Sequence, residues 1–338
     1  MLAITALMAS GATSVAAAYE VSAWTFGDRA SLDAATSRGA IDAVAVDWYA
    51  SLPNGGLRTD RSEDLTFVAE ARSRGLRVAA TVTNLSRKTW DFDPALAHRL
   101  LTSRKLRNRH ISRIVSLCVS KGYDGIDLDW ESLYETDRDR FSQFVERLAA
   151  ALHPKGKYLA IAVHAKTSEP GGWSGARAED YKRLGAAVDE FNVMTYDYSG
   201  SWSHPGPISP PDWADAVLAF AESVVAPGKI RMGVPFYGYD WVGSDADGVL
   251  WSDVQSLIAE YAPTLVRDSS GEVTFNYQDQ SARTHTVFFQ DRTAIGIKLQ
   301  MLLDKHPSIA GIGIWVMGDE DPGFWDEIVA KLKSARGK

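Results

Sequence analysis

Short β-branched or apolar runs alternate with longer amphipathic stretches along most of this chain. The runs are Tyr19 to Thr25, Asp42 to Trp48, Arg77 to Thr83, Gly125 to Glu131, Tyr158 to Ala165, Asn192 to Tyr198, Ile230 to Tyr237 and Ile309 to Val316. Between them the spacing predicts helices over Ser62 to Arg74, Leu106 to Ser120, Asp137 to Leu152, Ala178 to Ala187, Pro211 to Val225 and Thr293 to Asp304. Strands that alternate with helices build parallel sheets, and eight alternations predict closure into an α/β architecture, the (β/α)8 TIM barrel.

The interval Asp240 to Asp291, between the seventh and eighth runs, is too long for one loop and carries patterns of its own. Leu250 to Tyr261 reads as a helix, and Glu272 to Tyr277 and Thr284 to Phe289 read as strands joined by a polar turn over Gln278 to Arg283. A small α+β insertion between strands 7 and 8 is therefore expected. No Pro/Gly-rich linker or internal repeat divides the chain.

The fourth run carries the densest chemistry, Asp124-Gly-Ile-Asp127-Leu-Asp129-Trp-Glu131. Alternate strand residues share a face, so Asp127, Asp129 and Glu131 point one way and Ile126, Leu128 and Trp130 the other. A barrel core selected for stability would carry Val, Ile or Leu at the inward positions, since an unpaired buried carboxylate costs several kcal/mol or takes up a proton. Acids roughly 6 to 7 Å apart on one strand face cannot all ionise comfortably. A carboxylic acid that keeps its proton suits glycosidic cleavage, and Glu131, last on the strand at the end where barrel active sites form, is the natural donor. A solvated edge strand or a Mg²⁺ or Ca²⁺ site are the alternatives that spacing alone leaves open.

Bulk properties narrow the remaining choices. The 338 residues are 45% hydrophobic and 23% charged, with a net charge of −7 and no basic run that could follow a phosphate backbone, so no nucleic-acid partner is expected. Residues 1–18 are apolar or small, uncharged, and end in Ala16-x-Ala18, which reads as a signal peptide leaving 19–338 as the catalytic barrel in a secreted or periplasmic protein. No other stretch approaches the ~20 apolar residues of a membrane span. Cys118 is the single cysteine and sits in a helical apolar pattern, so multi-cysteine metal sites are excluded.

The acidic run resembles the signature of glycoside hydrolase family 18, the chitinase family, Asp-x-x-Asp-x-Asp-x-Glu on the fourth barrel strand. The resemblance implies that Glu131 is the acid/base, that Asp129 orients the substrate's acetamido group with Asp127 assisting, and that Asp124 is a structural member. Met194-Thr-Tyr196-Asp197 is similar to the family's Met-x-Tyr-Asp motif, which places Tyr196 on the acetamido oxygen, Met194 facing the cavity and Asp197 on the rim. Trp315, in Gly-Ile-Gly-Ile-Trp, resembles the tryptophan that floors the sugar site, and a flat ring beside small neighbours can receive a pyranose face. Trp241 is a further candidate for the cleft.

A narrower likeness to bacterial members related to spore-cortex N-acetylglucosaminidases is carried by Thr83-Asn84, His164-Ala-Lys166-Thr167, the segment from Ser203 to Pro207, the segment from Gly233 to Trp241, Phe289-Gln-Asp291 and Lys298. The resemblance implies a hydrolase of β-linked N-acetylglucosamine glycosides that uses no cofactor or metal, and a monomer is expected. A peptidoglycan substrate and a catalytically silent lectin stand as the alternatives.

Overall fold

The computed structural model describes residues 19–61 and 63–333; the expected signal peptide lies outside them. The strands in chain order are β1 (Glu20–Thr25), β2 (Ala43–Ser51), β3 (Leu57–Thr59), β4 (Arg77–Thr83), β5 (Gly125–Asp129), β6 (Tyr158–His164), β7 (Glu190–Met194), β8 (Ile230–Pro235), β9 (Gly238–Val242), β10 (Asp245–Val249), β11 (Val266–Arg267), β12 (Val273–Gln278), β13 (Thr284–Phe289) and β14 (Gly311–Met317). The parallel order β1-β14-β8-β7-β6-β5-β4-β2 closes on itself through β1–β2, and β3 adds antiparallel to β2. This is the eight-stranded barrel that the alternation predicts.

Each strand turns its branched residues outward against the helices. Val44, Val46, Val78, Val82, Ile126, Leu128, Ile161, Val163, Ile312 and Ile314 are buried in one continuous core with the apolar faces of the surrounding helices. Aspartates at the strand-to-helix turns stop the chain and start those helices. Asp28, Asp64, Asp93, Asp180 and Asp291 each accept a backbone N–H of the following first turn. Helices 29–37 and 94–102 are two such elements that periodicity over short segments does not reveal.

Inside the barrel the residues are small or polar. Ser22, Ala43, Ala45, Ala79 and Ala160 surround a void of about 20 Å³ below Trp24, Asp127 and Asn192. The bottom is closed by ions from strand starts: Arg77 pairs with Glu20 and Glu190, and Arg231 with the same two acids. Ion pairs at the lower mouth of such a barrel serve stability, leaving chemistry to the opposite end.

The insertion is larger than the sequence suggests. It begins at Gly238, two residues earlier than expected, and forms a five-stranded antiparallel sheet, β10-β9-β13-β12-β11, with helix 251–261 packed through Val254 on Val273, Phe275, Val287 and Phe289. β9 and β10 each contain glycine and lack the apolar alternation that marks a strand, and β9 pairs with both β10 and β13. A side chain at Gly238 would put its Cβ 2.3 Å from the Phe288 carbonyl oxygen, so only glycine permits that approach.

Three expected strands end early. β5 stops at Asp129, not Glu131; β7 stops at Met194, not Tyr198; and β8 stops at Pro235, not Tyr237. Glu131, Tyr196 and Asp197 therefore sit on the loops of the upper mouth, and their orientation is not set by strand alternation.

Candidate active site

Cross-strand register assembles the floor of the site. Asp47 of β2 lies beside Thr81 of β4, and Thr81 beside Asp127 of β5. Asp127 is 1% exposed and accepts from Trp24 Nε1 at 2.6 Å, from Thr81 Oγ1 at 3.0 Å and from Asn192 Nδ2 at 3.5 Å. Burial raises its pKa to about 6 against these hydrogen bonds. Asp47, which the sequence reading passed over, is raised to about 7 by burial, offset by Arg61 and reinforced by Asp127 and Asp60. An acid inside Ala-Val-Ala-Val-Asp-Trp carries the same signal as those of β5 and could have been found.

Asp129 is buried one layer higher. Burial first, then the charges of Glu131, Asp127 and Asp47, push its pKa well up, with His164 opposing. Its Oδ1 has no hydrogen-bond partner among the described residues. Like charges this close in a buried space disfavour full ionisation of the cluster.

Glu131 follows the strand and is held by a side chain from β4's end. Asn84 Oδ1 accepts the Glu131 N–H at 2.9 Å and Asn84 Nδ2 donates to the Glu131 carbonyl at 2.9 Å. Ser132 then turns the chain away with φ +55°. The Glu131 carboxyl lies 3.1 Å from His164 Nε2, and His164 Nδ1 is 2.7 Å from the buried Glu179. Sequence reasoning noted Asn84 and His164 but gave them no task.

Tyr196 is 7% exposed, packed with Trp24, Met194 and Val316. Burial and the nearby charges of Glu131, Asp129, Asp197 and Asp127 hold its phenol neutral by raising its pKa well above the ordinary value. Its ring needs Gly233, where a Cβ would stand 2.8 Å from Tyr196 Cε1. Asp197 adopts φ +58° and accepts from the Tyr237 hydroxyl at 2.5 Å and the Tyr239 hydroxyl at 3.0 Å. Trp315 is half-buried and meets Trp24 and Phe26 edge-on, each at 6.0 Å.

Two sequence candidates stand apart from this group. Trp241 is 2% exposed, donates its indole N–H to the Gly200 carbonyl at 3.1 Å and packs on Tyr239 and Phe288. It braces the loop after β7 and offers no open face to a sugar. Asp124 lies at the lower end of β5, where it accepts from Arg72 at 2.6 Å and from the Val78 N–H at 2.8 Å. It ties β5 to β4 at the end of the strand away from Glu131.

A barrel whose upper mouth gathers buried acids, a phenol and an indole is common to many chemistries, and comparison with known proteins separates them. Residues 25–321 match the family model for glycosyl hydrolases family 18. The chain belongs to glycosyl hydrolases family 18. An uncharacterized glycosylase, YvbX, of Bacillus subtilis is 30% identical to this family member over 90% of this chain and 89% of its own. A chitinase of Chromobacterium violaceum superposes with a TM-score of 0.85 at 27% identity, covering 95% of this chain and 100% of its own. The Bacillus cereus spore cortex-lytic enzyme SleL superposes with a TM-score of 0.81 at 25% identity, covering 94% and 75%. Among the described residues no helix is long and apolar enough to cross a membrane, and no cluster of three His, Cys, Asp or Glu could hold a metal ion.

Proposed function

We propose that this family 18 hydrolase cleaves β-linked N-acetylglucosamine glycosides, of the chitin or chito-oligosaccharide type, by substrate-assisted retaining catalysis. The observation that carries the reading is Asp129: a buried carboxyl whose Oδ1 has no partner, beside Glu131 at the cleft mouth. An acetamido N–H supplies the donor that Asp129 Oδ1 lacks, and the Tyr196 hydroxyl is a donor for the acetamido oxygen.

Glu131 gives its proton to the glycosidic oxygen as the C1–O bond breaks, and the acetamido oxygen forms its bond to C1 from the opposite face, leaving an oxazolinium ion. Asp129 Oδ1 accepts the acetamido N–H, and that hydrogen bond strengthens as positive charge develops on the acetamido group, so its stabilisation is greatest in the transition state. The Glu131 carboxylate then takes a proton from water, whose oxygen attacks C1 and expels the acetamido oxygen with overall retention. Every proton and electron pair is accounted for by protein, substrate and water.

A peptidoglycan strand is the second reading, favoured by Arg61. Its guanidinium lies 3.6 Å over the Phe26 ring, which in turn meets Trp315, so a cation stands beside the sugar floor where a muramyl carboxylate could reach it.

The test compares wild type with Glu131→Gln on chito-oligosaccharides, their N-deacetylated counterparts and de-peptidated peptidoglycan, following product size and anomeric form. Turnover that requires the N-acetyl group, gives β products and disappears in the variant supports the reading. Sugar binding without turnover by both proteins makes the barrel a lectin, and equal cleavage of deacetylated substrate removes acetamido participation.

A further inference from the structure

The scheme above leaves two ionisable groups beside Glu131 without a task, His164 and the buried Glu179. Glu179 is 1% exposed; its Oε1 is 2.7 Å from His164 Nδ1 and its Oε2 accepts the His164 backbone N–H at 2.9 Å. One carboxylate thus fixes both the ring and the main chain of the histidine. The other ring nitrogen, Nε2, points at Glu131 Oε2 at 3.1 Å, and the Trp173 ring stands edge-on at 4.5 Å between centroids.

We propose that His164 is a positioning residue of the hydrolase: an imidazolium, held from behind by Glu179, that fixes the Glu131 carboxyl and stabilises the carboxylate formed when Glu131 gives up its proton. The proposal rests on the acid/base reading of Glu131.

The charges around the ring favour the cationic form. From the β5 side it faces Glu131 and Asp129, from the loop after β7 Asp197, and from the turn before helix 181–187 Glu179, while Tyr181 of that helix donates its hydroxyl to the His164 carbonyl. Lys166 gives its hydrogen bonds to the Ala176 and Glu179 carbonyls and pairs with Glu169, and it acts on the Glu179 carboxylate through charge alone, while His164 hydrogen-bonds it. Burial pulls the imidazole pKa down; the Glu179 carboxylate raises it, and with Glu131 also ionised the value reaches about 10, so Glu179 is the counter-charge that remains while Glu131 carries its proton. A buried carboxylate without a counter-charge is costly, so Glu179 and His164 are stable as a pair.

This arrangement also selects an oxygen. With Nε2–H donated to Oε2, the acidic proton of Glu131 resides on Oε1, the atom that delivers it. After transfer, the charge-assisted hydrogen bond strengthens, so the imidazolium stabilises the developing carboxylate more than the resting acid.

The experiment measures the pH profile of kcat and kcat/KM for His164→Asn, which keeps an N–H donor and removes the charge. Removing the cation disfavours the ionised form of the acid beside it, so the basic limb of kcat/KM moves to higher pH. We expect kcat to fall by on the order of tenfold to a hundredfold, with KM within about threefold. A folded variant with wild-type melting behaviour and an unmoved limb overturns the proposal. Titration of the histidine rings by NMR in the wild-type protein decides independently of turnover. One ring of the seven histidines should stay doubly protonated through pH 8 and lose that protection in Glu179→Gln. If every ring titrates near the ordinary value of about 6.5, the imidazolium is absent and the proposal fails. Should wild type turn over no substrate, the hydrolase reading fails while the ring titration still reports on the charge.

Discussion

Asn84 holds Glu131 by both ends of its peptide, accepting its N–H and donating to its carbonyl at 2.9 Å each. This grip does for the loop what a strand ladder would have done had β5 continued. Asn84→Ala frees the backbone of Glu131 and leaves two buried polar groups unpaired. We expect a loss of about 1–3 kcal/mol in chemical denaturation and a fall in kcat of tenfold or more. Asn84→Asp keeps the acceptor but sets a buried carboxylate oxygen against the Asp93 and Glu131 carbonyls, so it should cost at least as much as alanine.

Gly233 leaves the space that the Tyr196 ring fills. Gly233→Ala places a methyl 2.8 Å from that ring and 2.6 Å from the Val193 carbonyl, so the tyrosine must shift. The expected outcome is a kcat/KM for acetylated substrate reduced at least tenfold. A variant of full activity would show that Tyr196 placement is not limiting.

Burial of Asp47 gives the fold a definite pH dependence. Its folded pKa, about 7, is above the ordinary carboxyl value of 3.8, so the folded state binds the extra proton between those limits. Stability from this group is therefore present below about pH 4 and is lost as pH rises towards 7. Asp47→Asn should match wild type in Tm near pH 4 and exceed it increasingly from pH 5 to 8. A constant difference across that range would show that Asp47 titrates normally.

Glu272 of the insertion is fully buried and accepts the Ile208 and Ser209 N–H groups at 2.7 and 2.8 Å, with Lys298 as its cation at 3.4 Å. Ser209 in turn donates to the Thr195 carbonyl at 2.6 Å, next to Tyr196. Glu272→Ala leaves the buried Lys298 without this counter-charge, hydrogen-bonded only to Gln290 Oε1 at 2.8 Å, and should cost about 3–5 kcal/mol. Restoring much of that stability by adding Lys298→Met, measured by urea titration, would show that the orphaned cation dominates the loss.

Arg61 should distinguish polymers. Replacing it with Gln is expected to lower kcat/KM on de-peptidated peptidoglycan several-fold relative to chito-oligosaccharides, because only the former carries carboxylates. An unchanged ratio removes the argument for a muramyl substrate.

The sequence by itself determined the barrel, the position of the insertion and the acidic strand. Eight apolar runs at βα spacing allow few other closures, and acids at Asp127 and Asp129 in an otherwise apolar strand are costly enough to read as functional. Register, loop conformation and cross-chain partners were decided only in three dimensions. Glu131, Tyr196 and Asp197 lie beyond their strands, so alternation could not orient them; Asn84, Gly233 and the two tyrosines at positions 237 and 239 do. Asp47, His164 and Glu179 join the acids from separate elements, and their charge states follow from burial and mutual distance. Trp241 illustrates the converse: an aromatic near a strand end reads the same in sequence whether it faces the cleft or, as here, the core. Local pattern encodes which face of an element is apolar, but which side chains share one dry, charged space depends on how the closed barrel brings distant segments together.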